Sequence, residues 1–114
     1  MQIPIEIETQ DKKLAFDLAS EDNRLKTGQM IQVPGNVMLE YSGSIVRRSF
    51  GIPEVLTLVA HVAGTVEVGL FTAWLWSKLE NKEVEKITIR RRVVTEITEE
   101  GIRQVVEEEF KCQK

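Results

Sequence analysis

A long apolar stretch occupies residues 55–79, VLTLVAHVAGTVEVGLFTAWLWSKL, and its only charged residues are Glu67 and Lys78. Its apolar residues recur at spacings of three and four, which is typical of a helix. Just before it, residues 51–54 place a proline at the first helical position and an acid in the first turn, as many helix starts do. The pattern therefore predicts one long helix over residues 53–80.

The predicted helix is as long as a whole domain. The chain has 114 residues, and a domain of that size has a diameter of roughly 34 Å. A straight helix over residues 53–80 would extend about 42 Å. Three explanations remain open: the helix bends at Gly64 or Gly69, it is shorter than the pattern indicates, or a second copy or another protein buries its overhang.

More than one face of this predicted helix is apolar. Its expected core stripe consists of Val55, Val59, Val62, Val66, Leu70 and Ala73. A thin polar line runs opposite, through Glu54, Thr57, His61, Thr65 and Thr72. A helix lying on a sheet needs only one apolar face, so the remainder predicts contact with a second helix, another subunit or lipid. The candidate interface is the cluster of Phe71, Trp74, Leu75 and Trp76.

The same stretch also raises a membrane alternative. Residues 55–76 are long enough to cross a bilayer, and two tryptophans near one end are typical of an interfacial belt. Against this, a charged residue at the centre of a spanning helix costs about 2.5–3.5 kcal/mol, and Glu67 lies close to that centre. A membrane-associated protein using residues 55–76 therefore stays the weaker alternative.

The first fifty residues predict an antiparallel meander. Ile3, Ile5 and Ile7 alternate with polar residues, which is the period of a half-buried strand. Pro34-Gly35 suits the central positions of a type II turn, and Ser42-Gly43 offers another turn. Five strands are predicted, over residues 3–7, 14–18, 30–33, 37–41 and 45–50.

A strand and a helix complete the predicted fold. Residues 86–94 alternate as a strand, and Thr98 is placed to cap a final helix whose apolar residues share one face. The fold class is therefore α+β in one domain, residues 1–114, with the order β-β-β-β-β-α-β-α. We expect a two-layer sandwich: an antiparallel meander sheet of about five to six strands, covered on one face by the long helix and the C-terminal helix.

Charge and arginine content suggest a second function. Arg47, Arg48, Arg90, Arg91 and Arg92 form candidate polyanion contacts if their strands are neighbours. The formal net charge of -3 and the absence of aromatic residues between these arginines disfavour nucleic-acid binding. Glutamates in the final helix are alternative partners for them.

Catalytic, metal and cofactor sites are not expected. His61 is the only histidine and Cys112 the only cysteine, so no cluster of metal ligands forms, and no acid, base and nucleophile stand together. No phosphate-binding loop or small-molecule substrate is identified. A single cysteine cannot form an internal disulfide, and the N-terminus lacks a signal-peptide pattern, which together indicate a reducing cytoplasm.

These patterns predict a non-enzymatic structural or interaction module of ordinary globular composition, with 42% hydrophobic and 29% charged residues. It would act by self-association, with a homodimer favoured, or as a subunit of a larger complex. Polyanion binding and membrane association are the two alternatives.

Overall fold

In a computed structural model, residues 2–11, 13–19, 26–45, 54–62, 64–80 and 82–111 are described. Six antiparallel strands form one sheet, and the helices add a second layer, which confirms the predicted α+β two-layer fold. The elements in chain order are β1 Gln2–Thr9, α1 Leu14–Ala19, β2 Met30–Val33, β3 Val37–Ile45, β4 Glu54–Val62, α2 Val68–Leu79, β5 Val84–Ile89, β6 Arg92–Val93 and α3 Glu99–Lys111.

The first strand lies in the middle of the sheet rather than at its edge. The strand order is β2-β3-β4-β1-β5-β6, so β1 separates β4 from β5. Ile5 lies opposite Leu58 on one side and Ile89 on the other, and all three side chains are buried. The chain therefore departs from a simple meander, because β1 is inserted between strands that come later in the sequence.

The predicted long helix over residues 53–80 is wrong. Its first third is the central strand β4, its last part is helix α2, and Gly64 lies between them with φ +86°. Residues 54–62 are rich in β-branched side chains, which favour strands. A spacing of four also fits a strand of period two, so the apolar spacing alone did not separate the two structures. Of the three explanations, the shorter helix is correct.

The predicted core stripe changes with it. Of its members, Val62 is buried, whereas Val55 and Val59 are half-buried and Leu70 and Ala73 are exposed. Alternate residues of β4 point to the helix layer instead, because neighbouring side chains of a strand point to opposite faces. The residues that β4 contributes to the core are Leu56, Leu58, Ala60 and Val62.

The predicted strand over residues 14–18 is also wrong, because this segment is helix α1. Leu14 and Leu18 are both buried, and their spacing of four places them on one side of a helix. The Asp11 carboxylate accepts a hydrogen bond from the Lys13 backbone N–H at 2.8 Å, just ahead of the helix. Such side-chain bonds are typical of helix starts.

The turn predicted at Ser42-Gly43 is wrong as well. Strand β3 continues to Ile45, and its register with β4 shifts between Tyr41 and Gly43, where Gly43 has φ +132°. The glycine therefore serves a bulge rather than a chain reversal. The predicted strand over residues 45–50 lies outside the described residues beyond Ile45.

The turn at residues 34–36 is present and also supports α2. Gly35 has φ +94°, as expected for a glycine in this turn. Its carbonyl accepts a hydrogen bond from the Glu67 N–H at 3.0 Å. A Cβ at position 35 would lie 2.8 Å from the Glu67 carbonyl oxygen. The turn thus packs directly against the first residues of α2.

The arginine run forms a hairpin tip instead of a continuous strand. Strand β5 ends at Ile89, Arg90 takes φ +63°, and β6 begins at Arg92. The final helix is confirmed, since the Thr98 hydroxyl accepts a hydrogen bond from the Gly101 N–H at 3.0 Å. The core lies between one face of the sheet and the helices. On the opposite face, which we call the open sheet face, side chains are exposed or half-buried.

Candidate interaction surface

Helix α2 carries apolar residues on every side. Lys78 is its only charged residue, and five of its twelve residues face the core. The opposite side should be polar in an ordinary amphipathic helix, but here its only polar residue is Ser77. We call this side, with its flanks, the α2 outer face: Gly69, Leu70, Ala73, Trp74, Trp76 and Ser77.

Leu70 is the centre of this surface. Its side chain is 53% exposed, the largest exposure among the large hydrophobic residues that the structure describes. Sequence reasoning missed it as a surface residue because the long-helix pattern placed it in the core stripe. Had the helix been restricted to residues 68–79, its lack of a polar face would have indicated an exposed apolar surface.

The four residues predicted as an interface separate into two pairs. Phe71 and Leu75 are fully buried in the protein's own core, and the Phe71 ring stacks on Phe110 at 5.4 Å. Trp74 and Trp76 are half-buried and pack against that core. Two residues apart, they lie about 160° from each other around the helix, so each occupies one flank. The part of the predicted interface that reaches the surface is therefore the two tryptophans.

Hydrogen bonds hold the start of α2 against the turn at residues 34–36 and complete its last turn. At its start, the Asn36 amide donates a hydrogen bond to the Thr65 carbonyl at 3.0 Å, beside the contact of the Gly35 turn. At its end, the Glu80 N–H donates to the Trp76 carbonyl at 2.8 Å. The Ser77 hydroxyl donates to the Trp74 carbonyl at 2.6 Å. The α2 outer face is thus presented on an anchored element.

Opposite charges mark the two ends of one flank. Glu67 is exposed at the N-cap position, and Lys78 is half-buried in the last turn. Eleven residues of helix turn through three full turns plus about 20°, so the two side chains share one flank with Trp74. They are about 16 Å apart along the axis, and neither forms an ion pair with any residue in the described ranges.

The arginine hairpin is partly neutralised by α3. Arg90 lies 3.8 Å from a Glu109 carboxylate oxygen, and Arg92 forms an ion pair with Glu108. Arg91 is exposed at the tip. Arg47 and Arg48 lie outside the described residues, so the predicted ridge of five arginines stays a prediction. Paired arginines attract a phosphate backbone less than free ones, because the neighbouring carboxylates reduce the local positive potential.

His61 lies on the open sheet face and not on a helix. Its Nε2 atom is 2.7 Å from Oε1 of Glu40 on the neighbouring strand β3. A carboxylate only accepts hydrogen bonds, so the His61 ring donates to Glu40 through Nε2–H. The ring borders a groove of about 320 Å³, whose lining is Gln2, Gln32, Asn36, Val37, Met38, His61 and Val62.

This groove contains an imidazole but few other reactive groups. Its lining residues carry amide, thioether and imidazole groups, and none carries a hydroxyl, thiol or amine. Within the described ranges, no three acidic, histidine or cysteine side chains are grouped to hold a metal ion. Among the helices described, none is both long and apolar enough to cross a bilayer.

Comparison with known families, curated proteins and solved structures finds no match to the chain. The protein's own surfaces are therefore the guide to its function. Of these, the α2 outer face combines the most exposed large hydrophobic residue with two half-buried tryptophans on one anchored helix.

Proposed function

We propose that this protein is a small non-enzymatic interaction module that self-associates through the α2 outer face. One observation carries the proposal: apart from Ser77, the side of α2 that faces away from the core is apolar, yet it is not buried against its own chain. A helix that is apolar all round is normally buried all round. A second protein surface supplies the missing burial, and a homodimer is the simplest closed assembly that provides it.

The side chains of the α2 outer face are of the kinds that stabilise protein–protein contacts. Fully burying a leucine side chain contributes about 1.5–3 kcal/mol, and Leu70 is more than half exposed in the single chain. Tryptophan is enriched at the centres of protein interfaces, and Trp74 and Trp76 stand on either flank of Leu70. An aliphatic centre with aromatic flanks is therefore suited to pack against a second apolar helix.

The other two functions stay predictions with less support. The arginines at the β5–β6 tip are shared with Glu108 and Glu109, which weakens the case for polyanion binding. The membrane alternative required the continuous apolar helix over residues 55–76, and β4 interrupts that helix. The cytoplasmic location predicted from the single cysteine is retained as part of the proposal.

Leu70→Asp tests the proposal directly. Sedimentation equilibrium of the full chain should give a mass above the 13.0 kDa monomer that rises with concentration. Leu70→Asp should return the mass to the monomer value, because a charge buried in an apolar interface is costly. The matched control is Val93→Asp, a charge introduced at a hydrophobic residue that is 45% exposed on β6. The control should associate as the unmodified protein does; a monomer at all concentrations for the unmodified chain contradicts the proposal.

A further inference from the structure

Glu67 and Lys78 make one flank of the α2 outer face electrostatically polar along its length. The flank begins with a negative group and ends with a positive group about 16 Å further on. Neither group is ion-paired within the part of the chain that the structure describes. A flank of this kind is complementary to a second copy of itself when the two run in opposite directions.

Two-fold symmetry then sets the orientation of the partner. In a symmetric dimer, if residue i of one copy contacts residue j of the other, then j also contacts i. When two identical helices pack antiparallel, the same flank of each copy meets the other. A parallel arrangement would instead place this flank beside the partner's opposite flank, so Glu67 and Lys78 would gain no partner from the charged flank. We therefore propose that two copies of this chain pack α2 antiparallel against α2, with Glu67 of each copy facing the partner's Lys78.

This inference rests on the proposed self-association and adds its geometry. The midpoint between Glu67 and Lys78 falls between Thr72 and Ala73. Thr72 points into the core, and Ala73 is exposed and small. A small residue at a helix crossing lets the two axes approach to about 8 Å, the close end of the usual range. The charge pattern and the steric pattern thus place the two-fold axis at the same point.

The same axis also accommodates the large side chains. Leu70 lies about 4 Å from the axis position along α2. At that height on the opposite copy are the partner's Trp74 and the partner's Trp76, each within about 2 Å along the helix direction. Around the helix, Leu70 is about 40° from Trp74 and about 120° from Trp76, so each leucine packs against the partner's Trp74. The two exchanged ion pairs lie at the rim of the same flank.

The open sheet face is a poorer surface for a second copy. Among the residues that the structure describes, it carries the carboxylates of Glu6, Glu8 and Glu40, against the single ammonium group of Lys86. Two such faces brought together would repel, because like charges would meet across the interface. Charge therefore favours α2 over the sheet as the site of self-association.

The contact is small, so we expect a weak dimer. A helix of twelve residues is about 18 Å long, and it presents less than the roughly 800 Å² per partner of a standard interface. Rim ion pairs change affinity modestly, by about two- to fivefold each. Because symmetry repeats the pair, reversing one charge changes two contacts, and we expect about a tenfold weaker dimer at low salt.

A charge-exchange series tests the arrangement. Dimer dissociation constants should be measured by sedimentation equilibrium at low ionic strength for Glu67→Lys, Lys78→Glu and the double variant. Each single variant should dimerise about tenfold more weakly, and the double variant should recover to within about threefold, because the pairs re-form with their ends exchanged. Glu6→Lys on the open sheet face makes the same charge change away from α2 and should leave the dimer unchanged.

A cross-link provides a second readout that does not depend on charge. Ala73→Cys in a Cys112→Ser background should oxidise to a disulfide-linked dimer, since a residue on the two-fold axis lies within disulfide reach of its own copy. No recovery in the double variant, or no cross-link, overturns the antiparallel arrangement. If these fail while Leu70→Asp still yields monomer, self-association through the α2 outer face stands and only its geometry is wrong. Circular dichroism of each variant checks that it is folded.

Discussion

Helices α2 and α3 cover the same sheet, yet they divide polar and apolar residues in different ways. In α3 the outer side is charged or amide-bearing, with Arg103, Gln104 and Glu108 exposed. In α2 the exposed side carries Leu70 and Ala73. The core-facing residues of α3 account for all of its apolar surface within one chain, whereas those of α2 do not. The contrast shows that the fold needs only one apolar face from each helix, and that Leu70 and Ala73 lie outside that face of α2.

Substituting a glycine in each of the two helices gives the largest expected difference in stability between them. A Cβ on Gly101 of α3 would lie 2.0 Å from the Glu96 carbonyl oxygen, whereas a Cβ on Gly69 of α2 meets nothing within 4 Å. Gly101→Ala should lower the free energy of unfolding by about 2–3 kcal/mol through the backbone shift it forces. Gly69→Ala should raise it by about 0.5 kcal/mol, since alanine favours helix.

Urea unfolding followed by circular dichroism measures both glycine variants. Opposite signs are expected for the same substitution in the two helices. Equal signs would show that the contact between Gly101 and Glu96 yields easily, and that α3 is held no more tightly than the start of α2.

Among the described residues, α2 has a buried side-chain hydroxyl without a hydrogen-bond partner on its core side, and α3 has no such group. Thr72 is 1% exposed, and its hydroxyl has no hydrogen-bond partner in the structure. Thr72→Val keeps the shape and removes the unsatisfied group, so the free energy of unfolding should rise by about 1 kcal/mol. Thr72→Ser keeps the hydroxyl and loses a methyl group, and it should lower that free energy. Thermal unfolding of both variants checks the prediction, which fails if valine destabilises the protein.

A smaller, pH-dependent effect is expected just beyond the end of α2. The Lys82 ammonium lies 3.1 Å from Asp17 of α1 and 3.6 Å from Asp11. The hydrogen bond and the charge of Asp17, followed by the charge of Asp11, raise the pKa of Lys82 above its ordinary value. The stabilisation is therefore complete below the unfolded-state pKa of about 10.4 and is lost as the pH rises through the folded-state pKa.

The Lys82→Met variant isolates this contribution. The difference in unfolding free energy between the unmodified protein and Lys82→Met should be constant near neutral pH and should shrink above about pH 10.4. A difference that stays constant through this range would show that the two aspartates do not stabilise the charged lysine in the folded state.

Elements with a local physical requirement were predictable. The alternation of Ile3, Ile5 and Ile7 predicts β1, and each of the three is fully buried. Thr98 is a helix cap in both the pattern and the structure. Gly35 is required in its turn by a positive φ. In each case the signal lies within a few residues, so no distant contact was needed to interpret it.

Segments whose apolar spacing fits both a helix and a strand were not predictable in this way. Val55, Leu56, Leu58 and Val59 satisfy both a helical and a strand period, and Leu14 and Leu18 are separated by four, a multiple of both. The choice between the two structures then depends on what the segment packs against. Between β3 and β1, the backbone groups of residues 54–62 are paired by two neighbouring strands.

The candidate site was half predictable. The aromatic and leucine residues within 71–76 indicated an interaction surface. Consecutive residues of a helix point in different directions, however, so these side chains cannot all lie on one side. Phe71 and Leu75 therefore turn inward while the tryptophans stay at the flanks. Leu70 could be assigned to the surface only after the structure placed the start of α2 at Val68, because that start determines which residues face outward.

Local sequence alone was sufficient for the α+β class, strand β1, the turn at residues 34–36 and the amphipathic helix α3, because hydrophobic period, capping and positive φ act over a few residues. Tertiary packing settled the place of β1 between β4 and β5, the division of residues 55–79 into strand and helix, and the outward side of α2. These three features depend on which distant segments pack together. The hydrophobic effect is non-directional, so an apolar segment alone does not specify which neighbour will bury it.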